Sequence, residues 1–165
     1  MAVSLDVTTP TTTDNDPTPT GYATVTGQST GKVAGSDAAE RATLNDLMQD
    51  KDKVINLGGG DDVFVFGPNT PNVDLNGVVK MGTGFDRVFL NYRVEDFVFT
   101  TRSDGGIKIQ YLADADGKGD AITFYDAEQF TFRNVDRATG INYTSITYTY
   151  DELYALVTAA QAAQV

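Results

Sequence analysis

Two nine-residue stretches of this chain repeat one pattern: glycine, glycine, aspartate and a large apolar residue at every second position. Leu57 to Val65 reads L-G-G-G-D-D-V-F-V and Met81 to Phe89 reads M-G-T-G-F-D-R-V-F. Gly58, Gly60, Asp62 and Phe64 therefore recur as Gly82, Gly84, Asp86 and Val88. Each position has a physical use. Glycine reaches positive φ without strain and lets carbonyl oxygens approach a cation closely. The aspartate adds charge, and the apolar residue two places later points into a core. Such a unit is a tight turn that feeds a short strand.

The rest of the chain agrees with a β domain. Short β-branched and aromatic runs follow one another from Val54 to Tyr150: Val63-Phe64-Val65-Phe66, Val88-Phe89-Leu90, Phe97-Val98-Phe99, Ile107-Lys108-Ile109, Ile122-Thr123-Phe124 and Phe130-Thr131-Phe132. Ser103-Asp104-Gly105-Gly106 and Asp116-Gly117-Lys118-Gly119 read as hairpin turns. Between Ser36 and Gln49 the pattern becomes helical, with Asp37 and Glu40 as a capping box and Leu44, Leu47 and Met48 on one face. A second helix is expected after Thr149, with Leu153, Leu156, Val157 and Ala160 on one side. The Thr/Pro-rich residues 1–20 cannot bury a core. They read either as a disordered arm or, from the alternation of Val3, Leu5 and Val7, as a strand docking on its own domain or on a neighbour. The expected architecture is mostly β, a short β-roll or β-sandwich-like domain over 21–150. One helix lies on its N-terminal side, and another lies over 151–165.

Composition narrows the chemistry. A net charge of -11 repels nucleic acid and attracts cations. With no cysteine and no histidine, thiolate catalysis, soft-metal sites and the commonest neutral-pH base are absent. Any metal should be hard and oxygen-liganded, calcium before magnesium. No run approaches the ~20 apolar residues of a membrane span. Met1 to Asp6 has neither the basic nor the apolar segment of a classical export signal.

The nonapeptide G-G-x-G-x-D-x-U-x, with U a large apolar residue, builds parallel β-rolls whose turns hold calcium. On Gly58 to Phe64 and Gly82 to Val88 the chain resembles the RTX family of calcium-binding, type I secreted bacterial proteins. The likeness continues through Gly84 to Leu90, Glu95 to Phe99, Asp104 to Ile107 and Ala127 to Phe132, covering roughly Val54 to Asn134. It implies Ca2+ at Gly58, Gly60, Asp61, Asp62, Gly82, Gly84 and Asp86. It also implies secretion to the bacterial exterior or surface through an uncleaved C-terminal signal, for which 151–165 is the candidate, although a plain capping helix fits that tail equally well. Asp62 and Asp86 are separated by 24 residues, which is not a multiple of nine. Adjacent coils of an uninterrupted roll are therefore not expected, and the turns could form one shared site, two half sites or none.

Asn72, Asp74 and Asn76 match the opening of an EF-hand loop, but Thr83 stands where its closing glutamate belongs. They remain candidate oxygens to complete a site begun at Asp62 or Asp86. Asp114, Asp116 and Asp120 read as a solvated hairpin tip or a weak calcium site. A catalytic carboxylate pair such as Glu95 with Glu128 is conceivable, yet the β segment accounts for both residues structurally, and no enzyme is expected. RTX chains usually carry a large effector. A chain filled by the β domain is expected to be the product itself: a self-assembling subunit of a surface layer, matrix or fibre. The alternative is a calcium-dependent adhesin that meets a glycan or protein through Tyr92, Tyr111, Tyr125 or Tyr148.

Overall fold

The computed structural model describes residues 1–5, 23–24, 33–43, 54–66, 76–112, 121–135 and 142–164. Its strands are β1 (Ala23–Thr24), β2 (Val33–Ala34), β3 (Glu40–Thr43), β4 (Val54–Asn56), β5 (Val63–Phe66), β6 (Asn76–Lys80), β7 (Arg87–Leu90), β8 (Phe97–Thr101), β9 (Ile107–Tyr111), β10 (Ala121–Tyr125), β11 (Gln129–Val135) and β12 (Asn142–Thr149). One helix, α1 (Tyr150–Ala162), follows. Up to β7, successive strands alternate between two six-stranded sheets, ordered β1-β3-β5-β7-β11-β12 and β2-β4-β6-β10-β9-β8. The chain thus winds as a roll. Parallel pairing links coil to coil, and the antiparallel strands β8, β9 and β12 finish its C-terminal end.

Alternation along the strands fills the space between the sheets. In β5, Phe64 and Phe66 enter the main core, while Val63 and Val65 cluster with Phe89 on the other face. Phe64, Phe97, Phe99, Phe124, Phe130 and Phe132 are all fully buried. They meet edge to face, as at Phe64–Phe124 (5.5 Å) and Phe99–Phe132 (5.8 Å). Each such pair contributes about 0.5–1.5 kcal/mol beyond area burial.

The two glycine turns are adjacent coils after all: Val63 faces Arg87, Ile55 faces Val79, and Gly59 bridges Thr83. Their repeat is 24 residues because one coil carries a glycine turn on only one edge. The connection across the opposite edge can take any length that returns the next strand to register. Stacking explains the glycines. At Gly82 (φ +111°) a Cβ would lie 1.9 Å from the Gly58 carbonyl oxygen, and at Gly84 (φ +142°) 2.1 Å from that of Gly60.

Among the described residues no helix forms where one was expected on the N-terminal side. Residues 35–39 are a turn and Glu40–Thr43 is β3, held between β1 and β5. Ladder bonds on both sides outweigh the weak local preference for helix. Residues 44–49 lie outside the described set. The expected helix after Thr149 is present, and its capping box is complete: Glu152 N–H donates to Thr149 Oγ1 (3.3 Å) and Thr149 N–H to Glu152 Oε2 (2.8 Å). Leu153 and Val157 are buried, whereas Leu156 is 44% exposed. The helix packs on β8, β11 and β12 and closes that end of the roll. There Val3 exchanges hydrogen bonds with Phe99 of β8 (2.8 and 2.7 Å), so the start of the arm docks on its own domain.

Gly82→Ala should cost about 3 kcal/mol or more, adding a backbone clash to the left-handed strain of about 1–2 kcal/mol. Gly105→Ala should cost only the strain, since its φ is +88° but nothing lies closer than 3.7 Å. Chemical denaturation of both variants checks the order.

Candidate metal centre

A carboxylate stands where each of four strands leaves the turn edge, at the first residue of β3 and immediately before β5, β7 and β11, and the four form a ladder. Register places Glu40, Asp62, Asp86 and Glu128 side by side in successive coils. Glu40 N–H donates to Asp62 Oδ1 (2.8 Å), Asp62 N–H to Asp86 Oδ1 (2.7 Å), and Asp86 N–H to Glu128 Oε2 (2.6 Å). Coil spacing of about 4.8 Å suits a side chain of this length reaching the neighbouring amide. Glu40 ends the ladder by turning back on its own coil, accepting from the Ser36 hydroxyl at 2.7 Å.

Asp62 and Asp86 are fully buried, and each has one oxygen, Oδ2, with no hydrogen-bond partner. An unpartnered buried carboxylate oxygen carries a desolvation cost that a cation can offset. Burial raises the pKa of Asp62 to about 6, against the lowering bond from Glu40 N–H and with Asp86, Glu40 and Asp61 raising it further. Asp86 rises to about 6 for the same leading reason, opposed by the Asp62 amide and reinforced by Glu128, Asp61 and Asp126.

Of the candidate ligands, Gly58, Gly60, Asp61, Asp62, Gly82, Gly84 and Asp86 come together in the two stacked turns. Asp61 is exposed and accepts Phe85 N–H at 2.9 Å. Asn76 does not join them: it opens β6 at the end away from the turn, about 13 Å along the strand at 3.3 Å per residue. Asn72 and Asp74 lie outside the described residues, as do Asp114, Asp116 and Asp120. Among the described residues no three acidic side chains converge on one point. A calcium ion here would take Asp62 and Asp86 together with turn carbonyls, and the two orphaned oxygens fit that donor set.

The structure does not bring Glu95 and Glu128 together. Glu95 follows β7 at one edge of its sheet, beside Arg93 (3.6 Å), while Glu128 precedes β11 at the other edge. Tyr92 and Tyr111 are core residues, 7% and 6% exposed, and their rings meet at a tilt of 42°, 4.2 Å between centroids. Tyr148 packs against the core, and only Tyr125 of the four tyrosines lines an open groove. Sequence reading missed Glu40 and Glu128 as ladder members. For Glu40 the available signal was the set of six-residue turns at 35–40, 57–62 and 81–86, each ending on an acid; Glu128 ends a three-residue turn that this pattern does not pick out.

No family model matches the chain, and no curated protein matches it in sequence. Among the described residues no helix is long and apolar enough to cross a membrane.

Folding with these carboxylates buried favours their protonated forms. Their contribution to metal-free stability is fully present below about pH 4 and is lost as pH rises through about 6. In chelator the melting temperature should therefore rise from pH 7.5 to pH 5. The paired Asp62→Asn and Asp86→Asn variant should flatten that rise, as calorimetry at the two pH values would show.

Proposed function

We propose that the chain is a secreted, non-enzymatic calcium-binding structural protein whose roll is completed by Ca2+ at the stacked turns and which assembles outside the cell. The observation that carries this reading is the pair of fully buried carboxylates with one unpartnered oxygen each, set in turns that only glycine can build. Without a cation, two buried charges oppose folding at neutral pH. With it, the same charges become ligands, so folding and binding are coupled. A chain of this kind stays loose where calcium is scarce and orders where it is abundant, which suits export followed by folding. The net charge of -11 favours cation uptake.

For assembly, the supporting feature is β12. It ends its sheet among the described strands and reads N-Y-T-S-I-T-Y-T, eight residues without a charge in a strongly acidic chain. Edge strands lacking charge or proline are templates for pairing with another chain.

Calorimetry and circular dichroism with calcium test the central claim. The wild type should bind Ca2+ and gain about 2.7 kcal/mol of stability at one hundred times Kd. The paired Asp62→Ala and Asp86→Ala variant should lose the binding. Failure of calcium to bind or stabilise the wild type rejects the claim. Light scattering with and without calcium tests assembly separately, and a monomer in both conditions rejects it.

A further inference from the structure

The fourth turn of the ladder is cut short, and the shortening leaves a groove. Where the third coil spends Met81 to Asp86 passing from sheet to sheet, the fourth uses only Asp126, Ala127 and Glu128. It has no residue equivalent to Thr83, whose N–H donates to the Gly58 carbonyl one coil earlier (3.1 Å). The third turn is left uncovered there, and Phe85 at its tip is 50% exposed. The resulting groove, of about 570 Å³, is walled by Phe85, the 104–105 hairpin tip, Tyr125 to Glu128 and Thr149 to Asp151.

Four carboxylates, those of Asp104, Asp126, Glu128 and Asp151, belong to this wall. Arg102 engages Asp104 at 3.2 Å, and Glu128 receives the Asp86 amide. Asp126 and Asp151 have no ion pair among the described residues. Two aromatic walls are fixed: Tyr125 OH donates to Asp104 Oδ2 (3.0 Å), and Tyr150 OH donates to the Gly105 carbonyl while its ring stacks on Tyr154. The acids do not converge as a metal cage. Their charge is spread around a groove within the volume range of an organic ligand.

We propose that this groove binds an organic cation, a guanidinium or ammonium group on an apolar stem, with Asp126 and Asp151 as its counter-charges and Phe85, Tyr125 and Tyr150 as its aromatic walls. Carboxylates supply charge-assisted hydrogen bonds, and aromatic faces attract the cation and cover the stem. A free small molecule and an arginine or lysine side chain of a partner polypeptide present the same chemistry. The groove borders the third glycine turn through Phe85, but its counter-charges, Asp126 and Asp151, lie outside the two stacked turns, so titration in calcium and in chelator separates the two sites.

The test is a titration of the full chain, followed by NMR of its tyrosine rings and by calorimetry. The probes are N-acetyl-arginine amide, the uncharged N-acetyl-citrulline amide and an arginine-containing hexapeptide, in calcium and in chelator. Binding of the arginine amide that shifts Tyr125 and Tyr150, with at least tenfold weaker binding of the citrulline analogue, is the expected result. Tighter binding of the hexapeptide assigns the site to a polypeptide partner, and equal binding assigns it to the free cation. Asp126→Asn and Asp151→Asn should each weaken binding about tenfold without changing the melting temperature by more than a few degrees. Asparagine tolerates the positive φ of 60° at position 126, so the turn is kept. Equal binding of the charged and neutral probes, no binding, unchanged affinity in both variants, or stoichiometric displacement by calcium overturns the proposal.

Discussion

Everything on the turn edge depends on a carboxylate in one coil accepting the amide of the coil before it. Glu40, Asp62 and Asp86 each donate an N–H to the acid of the next coil, and a second tie runs back through carbonyls, as from Arg87 N–H to the Asp62 oxygen (2.9 Å). These bonds set the coils in register where the strands begin. They also force the acids into the interior, where charge is unwelcome at neutral pH. The same residues that align the roll thereby create an electrostatic liability.

That liability links the fold to the proposed chemistry. A carboxylate that spends one oxygen on the ladder keeps the other for something else, and at Asp62 and Asp86 the other has no partner. Glycines make the arrangement feasible, because backbone oxygens of one turn lie where a side chain of the next would otherwise stand. Structural and cation-binding roles are therefore two uses of one carboxylate rather than competing explanations. The ladder alone accounts for Oδ1. A cation would account for Oδ2.

The ends of the roll differ from its middle for reasons of edge protection. At the C-terminal end, α1 and the Val3 bridge lie against β8, so that strand is not left bare. The shortened fourth turn breaks the regular stack and yields a groove of aromatic and acidic residues instead of another glycine layer. Departure from the repeat, more than the repeat itself, produces the concave surface.

Much of the strand content was legible from alternation, as in Val63 to Phe66 and Ile107 to Ile109, because a period of two follows from the pleat itself. The second helix was legible from Thr149 and Glu152, whose bonds are local. The glycine turns were legible because positive φ is a property of single residues. Coil stacking was not. A nine-residue rule suggested that a 24-residue spacing kept the turns apart, whereas pairing across sheets depends only on where each strand returns. Nor was the role of Glu40, which local sequence assigns to a helix cap and the neighbouring strands draw into the ladder. Sequence alone determined the turns, the alternation and the excess of negative charge, since each is written in adjacent residues. Only the tertiary structure decided which acids share an edge and which oxygens go unpartnered, because those follow from residues 22, 24 and 42 positions apart meeting in space.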